Sequence, residues 1–183
     1  AQAQAAPTAS APARAAAPTV VKSVKVEPGG LYQIVFNPAD STVLVAAVGP
    51  RGETRGAVAR LNADLTPGTA IDVSANPLYG LGFNSRTQIL YGTATRSGSV
   101  DAVDVRTGQV VAHITDGDDD SAHVREAIVD ERRNKVYVTI VGGEAGDASR
   151  PNQVWVIDGA TNTLERKIDV PVGGLTGALG GKR

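Results

Sequence analysis

The chain contains no cysteine. That absence removes disulfides, thiolate metal sites, cysteine nucleophiles and covalently attached haem together. Aromatic residues are scarce, with two Phe, one Trp and four Tyr among 183 residues, so a core must come from the Val, Ile, Leu and Ala that dominate an apolar fraction of 42%. No apolar run approaches the roughly 20 residues a membrane-spanning helix needs. An excess of one charge is missing too: the formal net charge is −1, and nothing global selects nucleic acid or an anionic membrane. No 3.6-residue periodicity persists beyond a turn or two. What is present is enough for one domain of ordinary size.

Residues 1–19, "AQAQAAPTASAPARAAAPT", carry one charge, Arg14. Alanine favours helix, but Pro7, Pro12 and Pro18 each interrupt one. Such a stretch cannot bury enough apolar surface to offset its ordering entropy. A disordered leader is expected over residues 1–22. An Ala/Pro-rich start is common in mature exported bacterial proteins, which predicts a periplasmic or secreted location with the signal peptide already removed.

The remainder repeats. "GGLYQIVFNPADSTVLVAAV" from Gly29, "NPLYGLGFNSRTQILYGTAT" from Asn76 and "AHVREAIVDERRNKVYVTIV" from Ala122 align, and Asn37, Asn84 and Asp130 fall in one column, 47 and 46 residues apart. Asn and Asp suit the opening of a tight turn because their side chains cap the local backbone. "GAVARLNADLTPGTAIDV", "GSVDAVDVRTGQVVAHIT" and "NQVWVIDGATNTLERKID" form a second set, each read as strand, turn, strand, with Asn62, Asp104 and Asp158 in one column. Each unit of about 46 residues thus carries four short β-rich strands, the period of a β-propeller blade. The reading is all-β: a partial β-propeller over 23–183, with four-stranded antiparallel blades near 25–73, 76–115 and 122–170 and the first strand of a fourth from 173.

Two stretches carry a family resemblance. "NKVYVTIVGG" (134–143) resembles the Tyr-Val-Thr-Asn signature of YVTN-type propeller repeats, with Ile140 where Asn is expected, and "VWVIDGATNTLERKIDVPVGG" (154–174) resembles that repeat's second half. The order of loops, and the "REAIVD" that opens the third blade, resemble the YncE-like propellers. The resemblance covers residues 25–183. It implies a seven-bladed ring in an exported bacterial protein, which at about 46 residues per blade takes more than about 300 residues. Three blades imply a truncated or fragmentary chain. The alternatives are that missing C-terminal blades come from another chain, or that the ring closes by oligomerisation, because open blades leave apolar faces uncovered.

The irregular segments collect on one predicted face. "GPRGETRG" (49–56), "GGEAGDASRPN" (142–152) and "DGDDDSAH" (116–123) are the long connections, and such loops carry function more often than the sheets do. Arg51, Arg55, Asp118, Asp120, His123, Arg125, Glu126 and Arg150 are the candidate binding residues of that face, with Asp119 beside them. Asp116, Asp118 and Asp120 have the 1-3-5 spacing of an EF-hand loop, yet Ser121 replaces the required Gly and Ala127 the bidentate Glu. A solvated acidic turn is the preferred reading and a looser calcium site the alternative. His113, inside "VVAHIT", reads as an outer-strand residue, and His123 beside Arg125 as a channel residue. No complete metal site and no catalytic constellation is legible, and the paired glycines lead into no helix that could cradle phosphate.

The functional expectation is a non-enzymatic binding or scaffold module of the bacterial envelope, docking a ligand or partner on the loop face near the central channel. Among YncE-like relatives the resemblance implies single-stranded DNA binding, which needs cations and stacking platforms. Arg51, Arg55, Arg96, Arg125 and Arg150 supply cations, few aromatics are expected to be exposed, and the acidic run 116–120 opposes it. The alternative is a periplasmic propeller enzyme, a metal-dependent oxidoreductase or a lactonase, for which no catalytic residue is named.

Overall fold

A computed structural model describes residues 15–53, 55–117, 122–143 and 150–170. Among them are twelve strands and no helix. They form three four-stranded antiparallel sheets in which sequence neighbours are always sheet neighbours. Blade one holds β1 (Leu31–Asn37), β2 (Thr42–Ala47), β3 (Ala57–Leu61) and β4 (Ile71–Asp72). Blade two holds β5 (Gly80–Asn84), β6 (Ile89–Ala94), β7 (Ser99–Asp104) and β8 (Gln109–Ile114). Blade three holds β9 (His123–Asp130), β10 (Lys135–Val141), β11 (Asn152–Asp158) and β12 (Thr163–Val170). The first strands β1, β5 and β9 stand next to one another in that order, so the sheets fan out from a shared centre.

The turn columns explain why each hairpin forms. After β1 the Asn37 carboxamide accepts from Ala39 N–H at 3.0 Å, after β5 Asn84 accepts from Arg86 and Thr87 N–H at 3.0 and 3.1 Å, and after β9 Asp130 accepts from Arg133 N–H at 3.1 Å. Each turn ends on a left-handed residue, Ser41, Gln88 or Asn134. Polar residues tolerate that region best. Asp104 and Asp158 do the same work for the outer hairpins, accepting from Arg106 and Ala160 N–H at 2.9 and 3.0 Å.

Blade one departs from the expected pattern. Its outer turn is long: Asp64, not Asn62, accepts the capping N–H, that of Thr66, at 3.0 Å, and Leu61 and Pro67 meet only in an isolated bridge. Pro67 has no N–H to give a ladder, and β4 is left with two residues. The rim therefore varies: β4 is short, β8 exposes Val110 and Val111, and β12 is eight residues long and carries Glu165, Arg166, Lys167 and Asp169.

Alternate residues of each strand face the preceding and the following blade. Leu44, Ala46 and Val58 of blade one pack with Leu78, Leu81, Leu90 and Val103 of blade two. Tyr91, Val100 and Ala102 of blade two pack with Val124, Ala127, Val136, Val138 and Trp155 of blade three. A third cluster, Val45, Ala59 and Leu61, lies on the opposite face of blade one and is covered by Val26 of the N-terminal arm. Lys22, within the stretch expected as a leader, donates to the Asp64 carbonyl. The turn columns also clasp neighbours. Asn37 and Gln88 exchange amide hydrogen bonds of 2.8 and 3.2 Å, and Asn84 donates to Asn134 at 3.0 Å.

Candidate functional site

The repeat places one column at the channel mouth. Two residues into each aligned unit, on the first strand or just before it, come Leu31, Leu78 or Val124, and the next residue is Tyr32, Tyr79 or Arg125. Leu78 and Val124 are buried between blades, so the residue that follows is turned toward the mouth. Neighbouring inner strands then bring together side chains 47 residues apart. The rings of Tyr32 and Tyr79 meet edge to face, 4.6 Å between centroids at 71°, a favoured aromatic geometry. Arg96, on the turn after β6, sets its guanidinium 5.8 Å from the Tyr79 ring centre, within cation–π range.

Two cavities share these tyrosines. One, of about 860 Å³, is bounded by Lys25, Glu27, Arg51 and Arg96 together with the Gly29–Gly30 and Gly49 backbone. The second, of about 330 Å³, is bounded by Gln33, Thr95, Arg125 and Glu126. Gly30 is required here: its φ is +62°, and a Cβ would lie 2.5 Å from the Gly49 carbonyl. The first cavity sets three cations against one carboxylate, and Lys25 is already paired with Glu27 at 2.7 Å. Arg51 and Arg96 remain as its cationic walls.

The candidate residues divide among several places. Arg51 borders the first cavity and Arg125 and Glu126 the second. Arg55 turns away to Glu53, with a 2.5 Å ion pair on the surface. His123 and Arg150 border a separate cavity of about 200 Å³ with Trp155, Asp116 and Lys167. Burial, and then the charges of Arg125 and Arg150, hold the His123 imidazole below its ordinary range. Asp118, Asp119 and Asp120 lie outside the described residues, as does the expected first strand of a fourth blade from 173. Of the acidic run, Asp116 is described, and both its oxygens accept from Lys167 Nζ at 2.7 and 2.9 Å. Its carboxylate is thus committed to a cation of this chain.

His113 lies on β8, the outer strand of blade two, where its Nδ1 is 2.6 Å from Oδ1 of buried Asp101. Asp101 also accepts from Asn76 at 3.0 Å, and Asn76 is tied to Ser97 and Ser99. This network pins the blade one-to-two connection onto blade two. The side chains that sequence reasoning undervalued are Tyr32 and Tyr79. It expected few exposed aromatics, whereas Tyr32 is 61% exposed and Tyr79 lines both cavities. The signal lay in the Tyr, Tyr, Arg column of the repeat.

No family model matches the chain. Its sequence is 26% identical over 147 residues to an uncharacterized protein YncE of Escherichia coli K12 and 28% identical over 148 residues to those of Salmonella typhi and Salmonella typhimurium. These matches take in 76% of this chain but 39–40% of each relative. The chain spans about two fifths of the length of the curated relatives it matches. Among solved structures it is similar to hydrazine synthase of Kuenenia stuttgartiensis, with a TM-score of 0.62 and 19% identity over 84% of this chain and 40% of that one. The WD40 repeats of RRP9 match with a TM-score of 0.60 and 14% identity over 80% of this chain and 40% of that one. Identities this low speak for fold alone. Three radially stacked four-stranded sheets, propeller neighbours in structure and YncE neighbours in sequence together make the chain a YncE-like β-propeller in partial ring form.

Proposed function

We propose that this chain is a non-enzymatic binding module of the bacterial envelope whose channel-mouth face holds single-stranded DNA. One observation carries the reading: Tyr32 and Tyr79 form an accessible aromatic pair between two cavities, with Arg96 against Tyr79 and Arg51 and Arg125 on either side. Bases stack on such rings whatever their sequence, while arginines neutralise the phosphates between them. In this arrangement Tyr32 offers the exposed stacking face. Tyr79, held by Tyr32 and Arg96, gives the platform a fixed orientation. Arg51 and Arg125 take phosphates on the two sides. The envelope location rests on the Ala/Pro-rich stretch 1–19.

Fluorescence anisotropy with a labelled oligothymidylate tests it. Tyr32→Ala is expected to weaken binding by about 1–3 kcal/mol with thermal unfolding unchanged, because the side chain is largely exposed. Arg51→Gln is expected to lower the salt slope by about one phosphate contact. Affinity that does not vary with salt, or that survives Tyr32→Ala, overturns the reading.

A further inference from the structure

We propose, resting on the binding reading above, that the smaller mouth cavity takes one guanine base of the bound strand, selected by Glu126 and Gln33. The two cavities at the mouth offer different chemistry. The larger is walled by Arg51 and Arg96 and suits phosphate. The smaller, of about 330 Å³, adds Gln33, Thr95, Arg125 and Glu126 to the two tyrosines. Its size falls within the range of about 300–1,000 Å³ usual for small-molecule pockets.

A carboxylate is out of place where only phosphates pass, because like charge opposes them. Glu126 is exposed, and its N–H donates to Thr139 Oγ1 at 3.1 Å. Its carboxylate has no ion pair or hydrogen bond among the described residues. Glu27, Glu53 and Asp116, by contrast, are each tied to a lysine or arginine of this chain. Glu126 thus brings two acceptor oxygens, with about four lone-pair sites between them, to the wall of the cavity.

Gln33 supplies the complementary donor. Its Oε1 accepts from Leu81 N–H at 2.7 Å. A backbone N–H can only donate, so this bond fixes which end of the carboxamide is oxygen. The Gln33 N–H is spent on the Tyr79 carbonyl at 3.3 Å. Nε2, with two hydrogens, is the end left for the cavity. The Thr95 hydroxyl already donates to the Val124 carbonyl at 2.8 Å, so it offers the cavity lone pairs only.

Guanine is the base whose Watson–Crick edge matches this set. It carries one acceptor, O6, beside two adjacent donors, N1–H and the 2-amino group. The two Glu126 oxygens take the two donors, and Gln33 Nε2 gives to O6. Adenine and cytosine each bring one amino group beside a ring nitrogen that turns a lone pair to the carboxylate. Thymine brings a single N–H between two carbonyls. In each of these an oxygen of Glu126 faces an acceptor, and that mismatch discriminates. Tyr32 supplies the stacking face and Arg125 takes the adjoining phosphate. The base is then held by its plane and read by its edge, the usual way of single-strand recognition.

Fluorescence anisotropy on the full chain tests this, with labelled oligothymidylate and the same oligomer carrying one central dG, dA, dC or deoxyinosine. The dG oligomer is expected to bind about tenfold tighter than the dA, dC and all-thymidine ones, as a bidentate base contact gives. Deoxyinosine, which lacks the 2-amino group, is expected to lose most of that gain. Glu126→Gln is expected to weaken dG binding about tenfold and to strengthen oligothymidylate binding, because a like charge leaves the phosphates. Gln33→Glu keeps an acceptor for Leu81 N–H and removes the donor to O6, so it is expected to abolish the dG preference. The guanine assignment alone is overturned by equal affinity for all the oligomers, by preference for another base, or by deoxyinosine binding as well as dG. A dG preference that survives Glu126→Gln or Gln33→Glu, or a Glu126→Gln chain that binds both oligomers equally weakly, also overturns it. Failure of every oligomer to bind overturns the binding reading and the guanine assignment together.

Discussion

The joins between blades one and two and between blades two and three occupy the same columns of the repeat and are built from different chemistry. The first is apolar at its centre, with Leu44, Ala46 and Val58 against Leu78, Leu81 and Leu90, and side chains supply much of its polar closure: the Gln33 carboxamide accepts from Leu81 N–H at 2.7 Å, beside one main-chain bond from Gln33 N–H to the Tyr79 carbonyl at 3.3 Å. Arg60 donates to the Val105 carbonyl at 2.6 Å and the Thr69 carbonyl at 3.3 Å and lies 3.5 Å from Asp40. The second join brings main chain against main chain. Gly80 and Gly82 expose their backbone to β9, and the hydroxyls of Thr93 and Thr95 donate to the carbonyls of Arg125 and Val124 at 2.7 and 2.8 Å. A propeller interface thus asks for filled volume, and either side-chain bulk or close backbone approach supplies it.

That contrast can be broken from either side. Leu90→Ala empties a fully buried position in the first join and is expected to cost about 2–5 kcal/mol in urea unfolding. A cost under 1 kcal/mol would mean that bulk does not hold this join. Gly80→Val acts on the second. Its Cβ would collide with the Arg125 carbonyl and lie 2.7 Å from Thr93 Oγ1. Overpacking of this kind is expected to cost about 1–3 kcal/mol. A variant as stable as the wild type would mean that close backbone approach does not hold this join.

Tyr91→Phe is the mildest test, removing the 2.7 Å bond to Asn162 for about 1 kcal/mol. The same hydroxyl predicts a pH effect. Burial, and then the nearby Asp158 carboxylate, push the Tyr91 phenol up to about 12. The neutral form is the one the fold prefers, so its contribution is intact below the ordinary phenol value near 10 and is lost as pH rises from there toward 12. Ultraviolet titration should show a late tyrosine step, and Tyr91→Phe should remove it. A late step that persists in the variant would assign it elsewhere.

The sequence disclosed the hairpins because their chemistry is local. Asn37, Asn84 and Asp130 each bond within three residues, so their spacing alone announced the unit and its period. Two features were hidden. The outer strand of blade one shrinks because Pro67 and a left-handed Leu65 lengthen its turn, which a strand-turn-strand template does not anticipate. The tyrosine pair at the mouth joins residues on neighbouring blades, and only radial stacking brings them within 4.6 Å. The alignment held both in one column, but a column states equivalence, not adjacency. The ties of Arg55 to Glu53 and Asp116 to Lys167 likewise depend on where the chain turns.

The rim strands carry a last implication, for handling the protein. Every outermost strand offers a row of unpaired amides to solvent, a template on which a stray chain can add. In blade one that row is two residues long, and in blade three it is guarded by alternating acids and bases. On β8 the half-exposed Val110 and Val111 stand without a charged neighbour on their own strand. Among the outermost strands, cross-molecular ladders are therefore expected to start there, and Val111→Lys is the natural gatekeeper for long storage at high concentration.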